Sequence, residues 1–158
     1  MSKPSINFVF SNPIHFLAFG FGSGLSPKAP GTFGTIAALP LWLFIAPLNL
    51  YLQLLVIAAA FLLGIYICDK TSEDLKVHDH GGIVWDEFVG VWVTLVFVPS
   101  TWVGVFAAFL VFRFFDIVKP WPIKWLDKHV HGGFGIMVDD LIAGLFAGVL
   151  LFAVFSYI

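Results

Sequence analysis

Five apolar runs dominate the chain, Ile36 to Ala46, Leu50 to Cys68, Phe88 to Val98, Trp102 to Phe112 and Leu141 to Ile158, and none of them contains a charged residue. The second is about 19 residues long, enough as helix at roughly 1.5 Å per residue to match the roughly 30 Å hydrocarbon core of a bilayer, and the last is nearly as long. Those two are expected to span a membrane. The other three, about 11 residues or ~17 Å of helix each, are too short alone. They read as hairpins that partly cross, or as helices that continue into a polar head. With 59% hydrophobic and 11% charged residues, the 158-residue chain lacks the polar surface to cover a soluble core. The expected fold is all-α: an integral membrane helical bundle of four or five segments, some of them re-entrant hairpins, forming a single domain over residues 1–158.

Pro47 and Asn49 separate the first two runs, and Pro99, Ser100 and Thr101 the third and fourth; both read as tight turns, and neither carries a charge. If both turns reverse the chain, every Lys, Arg, Asp and Glu falls on one side of the bundle as a polar cap. Basic residues accumulate on the cytoplasmic side, so that cap is expected to face the cytoplasm. One straight helix from Phe88 to Phe112 would break this parity. Only Lys3 precedes a mixed stretch with Pro4, Asn7, Asn12, Pro13 and His15, which lacks the apolar core and cleavage site of a signal peptide. Trp42, Trp85, Trp92, Trp102, Trp121 and Trp125 lie near segment ends and read as interfacial anchors.

Three polar segments hold the chemistry: GSGLSPKAPGTFGT from Gly22, the stretch from Asp69 to Gly90 that ends HDHGGIVWDEFVG, and Arg113 to Gly144. Ionisable groups held against apolar spans are costly and are functional candidates by default. Asp86 and Glu87 stand where the third run begins, and Asp139 and Asp140 stand just before the last. Asp116 follows Arg113 by three residues, on the same face if that run stays helical. Carboxylates this close resist ionisation unless cations compensate, and hard oxygen donors suit Mg²⁺. The plainer reading of Asp86 and Asp139 is helix N-capping. Lys28, Arg113, Lys119 and Lys124 are the cations available for a phosphate, with Arg113 able to grip it bidentately. Gly31, Thr32, Gly34 and Thr35 can offer N–H groups and hydroxyls to an anion at a helix start, or form a simple turn and cap. His78, His80, His129 and His131 flank the acids; hydrogen bonding to loop backbone is the expected duty for most of them.

The absences narrow the choice. A formal charge of −2 without a basic run gives no nucleic-acid partner. Cys68 is the only cysteine and has Asp74, not an arginine, six residues on. That excludes a cysteine phosphatase, and a single arginine leaves phosphohistidine signatures unsupplied. DxDxT, DGxxAR and GxSxG strings are missing too. Metal-assisted attack on phosphorus remains, with water or an aspartate as nucleophile. An ion or proton transporter is the alternative, but such proteins place acids near the midplane, and here no acid lies inside an apolar run. Gly144 and Gly148 form a GxxxG that admits a homo-oligomer through the last helix or close packing of helices within the chain.

SGLSPKAPGTFGT, HDHGGIVWDEFVG, FRFFDIVKPWPIKWLD and HGGFGIMVDDLIAG, in that order, strongly resemble the phosphatidylglycerophosphatase A family of bacteria. The likeness runs from about Pro13 to Gly148. It implies a lipid phosphatase that hydrolyses the terminal phosphate of phosphatidylglycerophosphate, giving phosphatidylglycerol and inorganic phosphate. It also implies a Mg²⁺ cofactor and a multi-pass place in the bacterial inner membrane, among membrane lipids, with the site facing the cytoplasm. By the same likeness Asp86, Glu87, Asp139 and Asp140 are the expected metal ligands. Asp86, Glu87, Asp116 and Asp139 are the expected catalytic acids, and Lys28, Thr32, Arg113 and Lys119 the expected phosphate-binding residues.

Overall fold

Asn49 Oδ1 accepts from the Leu52 N–H at 3.0 Å, and Thr101 Oγ1 accepts from the Gly104 N–H at 3.1 Å. Each side chain caps the helix that follows a reversal of the chain, at the two places where turns are expected. The computed structural model describes residues 4–157, and among them it contains eight α-helices and no strand. They are α1 (Ile6–Phe10), α2 (Pro13–Ala18), α3 (Pro30–Ile45), α4 (Leu50–Leu75), α5 (Trp85–Val96), α6 (Trp102–Val118), α7 (Ile123–His129) and α8 (Gly132–Ser156), with a 3-10 turn at Ser23–Leu25. Helices α4 and α8, of 26 and 25 residues, are long and apolar enough to cross a membrane. Helices α3, α5 and α6 have 16, 12 and 17 residues, or roughly 24, 18 and 26 Å.

At the centre stands α5. Every residue from Trp85 to Leu95 is buried, the two acids of its first turn included. Its neighbours fix its direction. Glu87 at its start meets Arg113 near the end of α6, so the two helices are antiparallel and no straight helix joins Phe88 to Phe112. Thr94 Oγ1 donates to the Gly144 carbonyl at 3.1 Å, and Asp86 lies beside Asp140, so α5 and α8 run parallel. Trp92 Nε1 donates to the Ala38 carbonyl at 3.0 Å and Gly31 lies against Glu87, which sets α3 parallel to α5 as well. Asp69 near the end of α4 accepts from the Gly133 N–H at 2.7 Å.

The starts of α3, α5 and α8 and the ends of α4 and α6 therefore gather at one end of the bundle. Every charged side chain among the described residues belongs to this end, and the reversals at the other, residues 46–49 and 97–101, carry none. Lys3, which the parity expectation includes, lies outside the described residues.

One expectation needs correction here. Trp42, Trp85 and Trp92 are core residues, only 4%, 6% and 4% exposed, and not interfacial anchors. The indoles of Trp85 and Trp92 can be buried because each N–H reaches a helix carbonyl, that of Ala60 or of Ala38. Trp102, Trp121 and Trp125 are exposed, as an anchoring role requires. The GxxxG of α8 serves the close helix packing that the sequence allows. A Cβ on Gly144 would collide with the Gly90 carbonyl, and one on Gly148 with the Phe97 ring, so these glycines let α5 and α8 touch.

Candidate active site

Asp86 and Glu87 occupy the second and third positions of α5, where the helix dipole favours carboxylates. Neither Asp86 nor Asp139 is an N-cap: the cap positions of α5 and α8 are Val84 and His131. Helix α8 begins at Gly132, so Asp139 and Asp140 project from its interior, about two turns past the start. The four carboxylates are 9% (Asp86), 8% (Glu87), 5% (Asp139) and 2% (Asp140) exposed. Glycine makes this meeting of helices possible. Gly90 lies so close to α8 that a Cβ there would be 2.8 Å from the Asp140 carbonyl oxygen.

Oxygens of Asp86, Glu87 and Asp140 lie within 4.8 Å of one another. Asp86 Oδ1, Glu87 Oε2, Asp139 Oδ1 and Asp140 Oδ2 are buried without a hydrogen-bond partner. Buried carboxylate oxygens left unsatisfied are costly, and hard oxygen donors converging on one point can hold a divalent cation. Among the described residues no other set of three ionisable ligands converges in this way.

Arg113 leans in from α6. Its Nη1 lies 3.5 Å from Glu87 Oε1 and forms an ion pair with Asp116, while Nε has no partner. The guanidinium thus keeps donor capacity beside the acids. Gly31, at the start of α3, completes this side: a Cβ there would overlap Glu87 Oε1 and come within 3.1 and 3.2 Å of the two Arg113 Nη atoms. Thr32 follows it on the same turn. The Thr35 hydroxyl donates to the Gly31 carbonyl at 2.9 Å and is buried, and Gly34 packs against Val84, so these two serve the helix itself. Lys28 is exposed on the preceding loop, and Lys124 on α7 forms no ion pair among the described residues.

Lys119, expected on the phosphate, is held by two carboxylates. Its Nζ lies 2.5 Å from Asp139 Oδ2 and 2.6 Å from Asp127 Oδ1. Burial opposes its charge, but Asp139 and Asp127 together hold the ammonium above the usual lysine range. Its direct partner is therefore Asp139. Beside it, a polar cavity of about 280 Å³ is lined by His78, Asp79, Asp127 and Asp139. Desolvation there raises the pKa of Asp79, only partly offset by Lys119.

Sequence reasoning missed Asp127 and Asp79. Asp127 stands eight residues beyond Lys119, across the KPWP turn, and no helical spacing connects them. It also passed over His15, which is buried, with Nδ1 3.0 Å from Thr71 Oγ1. The other histidines serve backbone largely as expected. His78 accepts from the Gly132 N–H, His80 accepts from the Gly82 N–H, and His129 Nδ1 lies 2.8 Å from the Trp125 carbonyl.

Comparison with known proteins adds independent observations. The family described as "PgpA: Phosphatidylglycerophosphatase A" matches residues 16–155. A phosphatidylglycerophosphatase A of Escherichia coli is 53% identical over 144 residues, covering 90% of this chain and 84% of the relative. One from Haemophilus influenzae is 51% identical over 145 residues, covering 90% and 89%. A Bacteroides thetaiotaomicron protein, named provisionally as a phosphatidylinositol-3-phosphatase, is 40% identical over 140 residues, covering 84% and 87%. No solved structure matches the chain.

Proposed function

Because the chain belongs to the phosphatidylglycerophosphatase A family, we propose that the acids buried between α5 and α8 are where it removes the terminal phosphate of phosphatidylglycerophosphate. The activity is that of a lipid phosphatase releasing phosphatidylglycerol and inorganic phosphate. The observation that carries the site is the set of four unpartnered, buried carboxylate oxygens on two helices that glycines bring into contact.

Asp86 and Asp140 would hold Mg²⁺ in this reading, with Glu87 converging on the same point and Asp139 turned toward Lys119; the residues present fit such an ion by donor type, burial and unmet hydrogen-bonding capacity. When bound, the ion neutralises phosphate charge and lowers the pKa of a coordinated water. The chain's own groups do the rest. Arg113 directs donors at the phosphate oxygens, helped by the N–H groups at the start of α3, by Thr32 and by Lys28. Lys119 fixes the Asp139 carboxylate through their ion pair. Glu87 takes the proton of the attacking water, since its Oε2 is free while Asp116 is engaged by Arg113. Water oxygen bonds to phosphorus, the bond to the glycerol oxygen breaks, and that oxygen gains a proton from solvent at the polar end.

The polar end faces the cytoplasm of a bacterial inner membrane in this reading. Helices α3, α4, α6 and α8 cross or nearly cross, and α5 lies buried among them, giving four or five multi-pass segments. Acyl chains then stay in lipid while the phosphomonoester reaches the acids. The transporter alternative is disfavoured because the end remote from the acids carries no charged residue among those described.

Metal binding is tested apart from turnover. Mn²⁺ added to the detergent-solubilised protein is expected to give a bound signal by electron paramagnetic resonance that Mg²⁺ competes away and that Asp86→Asn and Asp140→Asn lose. Equal Mn²⁺ binding by both folded variants would refute the ligand assignment.

A further inference from the structure

A lipid phosphatase must hold two unlike things, a phosphate and a hydrocarbon tail. Away from the acids, two apolar grooves stand out among the described residues. One, of about 690 Å³, lies between α3 and α6 and is walled by Ile36, Leu39 and Leu43 on one side and Trp102 and Val105 on the other. The second, of about 580 Å³, lies among α4, α5 and α8, with Leu54, Phe61, Val93 and Leu145 in its walls.

Helical register joins the first groove to the phosphate end. Thr32, Ile36, Leu39 and Leu43 follow one another at three- and four-residue steps along one face of α3, and Val105, Phe109 and Arg113 do the same on α6. The two stripes thus begin at residues beside the acids and run down into the groove. From Thr32 to Leu43 the path is roughly 17 Å long. Both helices lean on α5 and meet each other only sparsely, which leaves the seam open to the side. Ile36 is 47% and Leu43 65% exposed along it. The second groove is sealed toward the acids. Gly64 of α4 admits the Met137 side chain, Phe61 meets Phe134 edge-on at 6.1 Å, and the Gly133 N–H is bonded to Asp69.

We propose that the seam between α3 and α6 is the track along which an acyl chain of the lipid substrate lies while its phosphomonoester sits at the acids. The inference rests on the phosphatase reading and adds the route by which the lipid reaches the site from the side.

The test compares phosphatidylglycerophosphate carrying long chains with its dihexanoyl form. Leu39→Trp fills the seam, and displacing about two methylenes of contact raises KM for the long-chain lipid about tenfold. KM for the dihexanoyl form changes by less than about twofold, because its short tails stop before Leu39. Leu54→Trp, in the sealed groove, leaves both substrates as in the wild type. In parallel, a long-chain substrate analogue with a photoreactive diazirine near the acyl terminus is crosslinked to the unmodified protein, a readout that does not depend on a variant folding. Labelled peptides from α3 and α6 support the track. Labelling of α4 and α8 instead, or an equal loss on both substrates in Leu39→Trp, overturns it. Failure of the wild-type chain to release phosphate from either lipid would refute the phosphatase reading itself, so the two outcomes are distinct.

Discussion

Replacing Gly31 with alanine tests whether the start of α3 is part of the site. In an ordinary helix this change is favourable by about 0.5 to 1 kcal/mol, because alanine loses less backbone freedom than glycine. Here the added methyl group would stand well inside 3.0 Å of Glu87 Oε1, with Arg113 nitrogens at 3.1 and 3.2 Å. Ordinary contact requires the carboxylate, or the first turn of α3, to retreat by about 1 Å. A displacement of that size at a reacting group costs on the order of a hundredfold in rate, about 2.7 kcal/mol of transition-state stabilisation. We therefore expect kcat for phosphate release from phosphatidylglycerophosphate micelles to fall about a hundredfold in Gly31→Ala, with the thermal midpoint unchanged or slightly raised. Gly81→Ala is the matched control, since a Cβ there meets nothing within 4 Å, and it should behave as wild type. A Gly31→Ala enzyme within about threefold of wild type would show that neither Glu87 nor the start of α3 needs its present position.

Other consequences can be checked with the same preparation. Asp127→Asn loosens Lys119 and with it Asp139, so kcat should fall about tenfold with little change in KM, and Lys119→Met should cost more; a KM effect alone would place Lys119 on the substrate instead. Gly144→Leu forces α8 away from the Gly90 carbonyl and should destabilise by about 3 kcal/mol or more, seen as a lower thermal midpoint or loss of folded protein. Burial holds the His15 pKa below its usual 6.5, although Asp74 pulls it upward and Lys70 adds to the depression. The unfolded chain then binds this proton more readily than the folded one, so stability falls as pH drops below about 6.5. His15→Gln should flatten that part of the melting profile, and an unchanged pH dependence would remove His15 from the account.

The charge-free runs and the acidic strings were legible because they are local: each is a stretch of sequence whose cost or benefit does not depend on a distant partner. The hairpin between α5 and α6 followed from Pro99 to Thr101 for the same reason. What could not be read was set by contacts between helices. GGFGIMV forms the first two turns of α8, where Gly133 approaches the Ile65 carbonyl of α4 closely. Asp139 therefore became a buried group inside a helix where the sequence offered a cap. Trp85 and Trp92 became core residues because carbonyls of two other helices accept their N–H groups. Lys119 found Asp127 and Asp139 only once the chain had turned through KPWP.

The most direct test of the central claim is phosphate release from phosphatidylglycerophosphate by the purified wild-type chain, Asp86→Asn and Asp140→Asn, each with Mg²⁺ and with chelator. The account predicts release by wild type that requires Mg²⁺ and a loss of at least about a thousandfold in both variants with folding intact. Release undiminished by chelator, or variants that turn over at near the wild-type rate, would contradict it.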